Sequence, residues 1–221
     1  MAGKKIGLFF GSFNPIHNGH LMIANYLAEF GDLDQVWFVI SPQNPFKENQ
    51  ELLPDYHRRE LLTRAIGDYP KFKVSAVEFQ LPKPSYTIDT LFYLKSKYPD
   101  SQFILIMGSD QLPNFHRWKK PDEILANYRI LVYPRPEEDR EAVDVKRETE
   151  EGSSGDSGFP LHASRFTLHD LMKHPSISIV QAPMMDISSS FIRQSIKEGK
   201  DVRFYMPDHT WQYLEEMHFY K

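Results

Sequence analysis

Short apolar runs alternate along this chain with segments whose apolar residues recur at helical spacing. Lys4–Phe10 (KKIGLFF), Gln35–Ile40 (QVWFVI), Gln102–Met107 (QFILIM) and Arg129–Tyr133 are near-continuous apolar stretches of strand length. Phe72–Val77 and Ile177–Gln181 are shorter versions. Asn18–Phe30 sets Leu21, Ala24, Leu27 and Ala28 on one face, with Asn18 placed to cap. Asp55–Gly67 reads as a helix capped by its aspartate and closed by its glycine. Thr87–Lys97 is another, and Pro121–Asn127 opens with proline in its first turn and acids behind it. Ser188–Lys197 and Asp208–Met217 complete the helices. Strands buried on both faces carry continuous apolar runs, whereas half-exposed strands alternate. The pattern predicts an α/β fold: a Rossmann-like, doubly wound parallel sheet with helices on both faces. In such sheets ligands bind beyond the carboxyl ends of the strands, where strand order reverses. The loops after the strands are therefore where chemistry is expected.

The 221 residues, 41% hydrophobic, suffice for one large domain. We read 1–221 as a single domain with a helical subregion at about 188–221. One segment breaks the rhythm, at about 137–175. It holds an acidic run and then Gly152–Gly158 (GSSGDSG), the composition of a flexible insertion. Ser164–His174 within it has the makings of a short helix. Between Arg135 and Glu151 four cations face eight acids, which accounts for the whole formal charge of −4; the remaining chain balances. That balance argues against nucleic acid as a partner. With no cysteine, thiolate catalysis, disulfides, Fe–S clusters and cysteine-based zinc sites are excluded. The apolar runs are far too short to span a membrane, and the stretch after Met1–Lys5 forms no signal-peptide core, so a cytoplasmic protein with no membrane partner is expected.

The first strand empties into Gly11-Ser12-Phe13-Asn14-Pro15-Ile16-His17-Asn18-Gly19-His20. Backbone N–H groups after Gly11, together with a helix start near Asn18, form a pocket for anionic oxygens. His17 and His20, three apart across that start, can both donate to charge that builds on a phosphate. Neither the dinucleotide fingerprint nor the P-loop is present, and no third ligand stands at metal spacing beside the pair. Near the other end, Ile187-Ser188-Ser189-Ser190-Phe191-Ile192-Arg193 opens a helix with three hydroxyls and a guanidinium one turn in. That arrangement serves either as a cap followed by a surface arginine or as a phosphate site.

Gly11–Leu21 (GSFNPIHNGHL) closely resembles the H-x-G-H signature of the nucleotidylyltransferase superfamily, kin to the HIGH motif of class I aminoacyl-tRNA synthetases. Ile187–Arg193 resembles its I-S-S-T-x-I-R motif, with Ser190 for the usual threonine. The resemblance implies a nucleotidylyltransferase fold that binds ATP through Gly11, Ser12, Phe13, His17, His20, Gly108, Asp110, Ser188, Ser189, Ser190 and Arg193. His17, His20 and Arg193 are then the catalytic groups. Ser85–Leu91 (SYTIDTL), Gly108–Leu112 through Trp118, Leu131–Pro136 (LVYPRP) and the closing Met206-Pro207…Tyr220 resemble segments of bacterial nicotinate-mononucleotide adenylyltransferases. That narrower resemblance implies adenylyl transfer from ATP to nicotinate mononucleotide, with Mg²⁺ carried on the ATP phosphates and no protein metal ligands.

The flat face of Trp118, set among Arg117, Lys119 and Lys120, suits a cationic pyridinium ring. Asn44, Lys47, Thr87 and Arg135 complete the implied acceptor site, Lys47 and Arg135 as phosphate ligands. Two departures stand out: Phe46 precedes Lys47 where the family often has His, and Asn14 replaces Asp. Nicotinamide mononucleotide, or less readily phosphopantetheine, is the alternative acceptor. A non-catalytic nucleotide sensor is the reading from another class, and a homo-oligomer stays open.

Overall fold

A computed structural model describes residues 3–42, 52–135 and 168–221. Among these residues six strands form one sheet: β1 (Lys5–Gly11), β2 (Gln35–Ile40), β3 (Phe72–Ser75), β4 (Gln102–Gly108), β5 (Arg129–Tyr133) and β6 (Ile177–Ile179). Their order is β3-β2-β1-β4-β5-β6, and every pairing is parallel. The connecting helices are α1 (Asn18–Phe30), α2 (Asp55–Ile66), α3 (Thr87–Lys97), α4 (Pro121–Asn127), α5 (Leu168–Met172), α6 (Ser189–Lys197) and α7 (Asp208–Glu216).

Side chains alternate across a strand, and each face of this sheet has its own core. Phe9, Phe38, Ile40, Ile104, Ile106, Leu131 and Tyr133 pack with residues of α1, α2, α6 and α7. Leu8, Trp37, Val39, Leu105, Met107, Ile130 and Val132 pack on the other side with residues of α3, α4 and α5. Burial on both faces is what produced the unbroken apolar runs. The doubly wound parallel fold is thus as expected.

Strand order reverses between β1 and β4, which pair directly, Phe9 opposite Ile106. Gly11 and Gly108 end those two strands. Helices that return from parallel strands point their N-termini to the carboxyl edge, so α1, α3 and α6 all begin there.

The element ends differ from expectation in instructive ways. Asn18 does not cap α1. His17 holds the cap position in extended conformation, and the Asn18 amide instead donates to the Phe204 carbonyl at 2.9 Å. Asp55 likewise lies inside the first turn of α2, where it pairs with Arg58; Pro54 holds the cap position. Ser188 does cap α6, accepting the Phe191 N–H at 3.1 Å. β3 stops at Ser75, because Val77–Gln80 turns into a 3₁₀ segment that buries Val77 and Glu78. A second 3₁₀ stretch, Ser109–Arg117, follows β4 and was not legible as an element. Most of the acidic Gly/Ser segment, Asn44 and Lys47 lie outside the described residues.

Leu105 is 1% exposed at the centre of β4. Leu105→Ala leaves a cavity between sheet and helices, with an expected cost of about 2–5 kcal/mol in chemical denaturation. A cost below about 1 kcal/mol would show that this face of the sheet is not a close-packed core.

Candidate active site at the carboxyl edge of the sheet

The loop between β1 and α1 is held in one shape by contacts that reach it from distant parts of the chain. Phe13 takes a left-handed backbone, φ +45°, which costs a bulky residue of order 1–2 kcal/mol. Its ring is 1% exposed and packs edge-on against Phe9 and His20, at 5.9 and 5.2 Å between centroids. The loop's carbonyls are engaged from behind. An Arg58 guanidinium nitrogen donates to Ser12 O at 2.8 Å, Arg193 to Asn14 O at 2.7 Å, and the Ser189 hydroxyl to Pro15 O at 2.8 Å. The Asn14 side-chain oxygen accepts from the Leu53 N–H at 3.1 Å and the Tyr220 hydroxyl at 2.7 Å.

His17 and His20 stack across the start of α1, their ring centroids 3.7 Å apart and tilted by 31°. The glycine between them makes this contact. A Cβ on Gly19 would lie 3.0 and 3.1 Å from two atoms of the His17 ring, tighter than ordinary packing. Burial, then the charge of Arg135, pushes the His17 imidazole down to about 3. Burial, His17 and Arg135 together hold His20 well below its usual value. Both rings are therefore neutral at pH 7, each with one N–H to donate. Both Nδ1 atoms are buried and have no hydrogen-bond partner among the described residues.

α6 brings its first turn against this loop through the Ser189 and Arg193 bonds. The hydroxyl proton of Ser189 is committed to Pro15. Ser188 and Ser190 act in the structure as acceptors, of the Phe191 N–H and of Arg193 at 3.2 Å, and keep their protons to donate. From the β4 side, a Cβ on Gly108 would collide with Asp110 Oδ1 at 2.3 Å, so glycine is what admits that carboxylate. Asp110 Oδ2 accepts from Arg135 at 3.3 Å, and Oδ1 is buried with no partner among the described residues. Arg135, read from sequence as a phosphate ligand, thus stands paired with Asp110 and close enough to both histidines to depress them.

Of the residues expected from sequence to receive the acceptor, Thr87 and Trp118, like Arg135, are among the described residues. Thr87 is the first residue of α3, with Tyr86 at the cap position. Lys119 joins this helix start to the Trp118 segment: its ammonium is 2.8 Å from Asp89 and 4.6 Å from the centre of the Tyr86 ring. Trp118 is half-buried, 5.2 Å from the Phe115 ring, and also packs on the core. It is therefore partly a core residue, despite its charged neighbours in sequence.

Three groups escaped sequence reasoning. Arg58 looks like any cation in the polar first turns of α2, indistinguishable by spacing from Arg59. Tyr220 stands 206 positions from its partner Asn14. Glu78 is a buried carboxyl that accepts from the Thr90 hydroxyl at 2.8 Å and is pushed up by burial.

The strand-order reversal thus gathers two neutral imidazoles, the hydroxyls that open α6 and the guanidinium groups of Arg135 and Arg193. The profile of the cytidylyltransferase-like family matches residues 8–195, and the chain belongs to that family. Within it the likeness is narrower. The chain is 45% identical over 217 residues to a Flavobacterium johnsoniae protein named probable nicotinate-nucleotide adenylyltransferase, covering 98% of this chain and 99% of that one. A Cytophaga hutchinsonii protein of the same name is 46% identical over 200 residues, 90% of each chain. Among solved structures, Plasmodium falciparum nicotinic acid mononucleotide adenylyltransferase, complexed with NaAD, superposes with a TM-score of 0.71 at 19% identity. That match covers 98% of this chain and 97% of the other, and it shows likeness of fold.

The neutral histidines make stability depend on pH. Below about 6.5 the unfolded chain takes up a proton at His17 that the folded protein refuses until pH approaches 3. This contribution is complete above pH 6.5 and is lost as pH falls, at roughly 1 kcal/mol per pH unit. His17→Gln should flatten the acid-side slope in denaturation curves between pH 6 and 4. An unchanged slope would mean that His17 titrates normally in the folded protein.

Proposed function

We propose that this protein transfers the adenylyl group of ATP to nicotinate mononucleotide, giving nicotinate adenine dinucleotide and pyrophosphate. The observation that carries the reading is the pair of stacked, neutral histidines on a loop pinned to the start of α6 at the β1/β4 reversal. Relatives about 45% identical over nearly the whole chain carry the corresponding name. The acceptor's 5′-phosphate is already a nucleophile at neutral pH. It forms a bond to the α-phosphorus as the bond to the β,γ-pyrophosphate breaks, and pyrophosphate leaves with the electron pair. No general base is required, so the protein's work is alignment and charge stabilisation.

In this reading the loop amides of Gly11, Ser12 and Phe13, with His17 and His20, receive the phosphates of ATP, and the imidazole N–H groups donate to the charge that grows on the α-phosphate. Ser188, Ser190 and the remaining guanidinium donors of Arg193 hold the β- and γ-phosphates, while Ser189 keeps the loop in place. Gly108 and Asp110 flank the nucleotide. Thr87 at the positive end of α3 receives the ring carboxylate, Trp118 the pyridinium face, and Asn44, Lys47 and Arg135 the acceptor's phosphate.

Among the described residues no three His, Asp or Glu side chains gather around a common point. A Mg²⁺ ion would come in on the ATP phosphates, and Asp110, with its unpaired buried oxygen, would hold its water shell. When bound, the ion supplies charge neutralisation. We place the reaction in the cytoplasm, with the two nucleotides as partners and no nucleic acid or membrane. Among the described residues no helix is long and apolar enough to cross a membrane. The chain acts as one unit, and the acidic segment is dispensable for the reaction.

His20→Ala that remains folded should lose about 10²–10³ in kcat for pyrophosphate release from ATP plus nicotinate mononucleotide. Wild-type turnover in that variant would refute the assignment. Nicotinamide mononucleotide run alongside measures the preference for acid over amide. Deleting Glu137–Gly158 should leave turnover within about twofold; loss of activity would make the insertion part of the site.

A further inference from the structure

Arg58 is fully buried, at 0% exposure, and its whole guanidinium is engaged. Nε donates to Leu53 O at 3.0 Å. One terminal nitrogen donates to Ser12 O at 2.8 Å and Ser41 O at 2.7 Å; the other donates to Pro42 O at 3.4 Å and to the Asp55 carboxylate. A guanidinium has five N–H donors, and all five have acceptors here. The acceptors belong to different functional segments. Ser12 lies in the loop after β1, Ser41 and Pro42 begin the loop after β2, and Leu53 closes that second loop before α2. The two loops also touch directly, Ser41 N–H on Gly11 O at 2.9 Å.

Burying a cation gains little stability that an apolar side chain of similar volume would not supply. What a planar fork supplies is fixed geometry among several carbonyls, which neither an ammonium nor an apolar side chain can reproduce. Its placement also has a direction. Arg58, itself fully buried, draws the Ser12 carbonyl toward the interior.

We propose that Arg58 is a positioning residue for adenylyl transfer. Without touching either substrate, it fixes the loop after β1 against Ser41, Pro42 and Leu53, and turns the Ser12 carbonyl away from the anion. The inference rests on the nucleotide site proposed above. Transfer rates fall steeply when reacting groups are misplaced by about 1 Å, on the order of a hundredfold. Ground-state binding of one nucleotide suffers less.

The test uses Arg58→Lys and Arg58→Met in the full chain, with Leu61→Ala as a destabilised control. Leu61 lies one turn along the same helix and is also 0% exposed. Three quantities are measured: melting temperature, affinity for a non-hydrolysable ATP analogue by calorimetry, and kcat and KM for both substrates. Both Arg58 variants should melt cooperatively and bind the analogue roughly tenfold more weakly. Their kcat should fall roughly a hundredfold, far more than either KM changes. Leu61→Ala should lose melting temperature yet keep affinity and kcat per folded molecule within about twofold.

Wild-type affinity and kcat per folded molecule in Arg58→Lys would overturn the proposal. So would parallel losses in Leu61→Ala, or failure of both Arg58 variants to fold, since either result makes Arg58 purely structural. If wild-type protein binds the analogue but transfers nothing to nicotinate mononucleotide, the acceptor reading fails. The affinity comparison then still decides the role of Arg58.

Discussion

A loop that is to receive anions must offer its N–H groups and keep its carbonyls elsewhere, and in the loop after β1 three carbonyls are taken by side chains from two other helices. Arg58 of α2, Ser189 and Arg193 of α6 hold Ser12, Pro15 and Asn14. The rest of the arrangement depends on this. α6 is fixed at the loop after β1 because two of its first five residues are the donors, and α2 is fixed because its buried arginine supplies the third. The left-handed Phe13 persists because packing and these bonds over-determine the loop. Strain of this kind is affordable only where the surroundings leave no alternative.

The second constraint is electrostatic. Burial penalises a proton on either imidazole most, the nearby Arg135 charge adds to that penalty for both, and for His20 so does His17, whose ring lies 3.7 Å away. The site therefore presents neutral donors set among fixed guanidinium charges. Donors fixed in this way need no reorganisation to receive a negative charge. The sequence-wide charge of −4 has no bearing on this. The acidic excess lies in one segment, while the cations that matter are gathered at one edge of the sheet.

Much of this was readable from sequence for a definite reason. β1, β2, β4 and β5 are buried on both faces, and that leaves unbroken apolar runs. Gly11, His17, Gly19 and His20 stand close together in the chain, so their spacing survives as a motif. Gly19 also has a physical cause in its contact with the His17 ring. What escaped was non-local or set by backbone geometry. The caps of α1 and α2 were misplaced by one residue, since a loop pinned from outside, rather than the nearest Asn or Asp, decides where the helix begins. Arg58 and Tyr220 act on residues 46 and 206 positions away and leave no periodic trace. Trp118 looked solvated because its sequence neighbours are charged, yet Phe115 covers one side of it.

The central claim is that the loop after β1 is already shaped for a nucleotide's phosphates. The most direct measurement is a crystal structure of the protein with a non-hydrolysable ATP analogue and nicotinate mononucleotide. An α-phosphate is expected within hydrogen-bond reach of both the His17 and His20 rings. The Gly11–His17 backbone should shift by less than about 1 Å, and Ser12, Asn14 and Pro15 should still be bonded to Arg58, Arg193 and Ser189. Phosphates bound elsewhere, or a loop that abandons those three bonds to receive them, would contradict it.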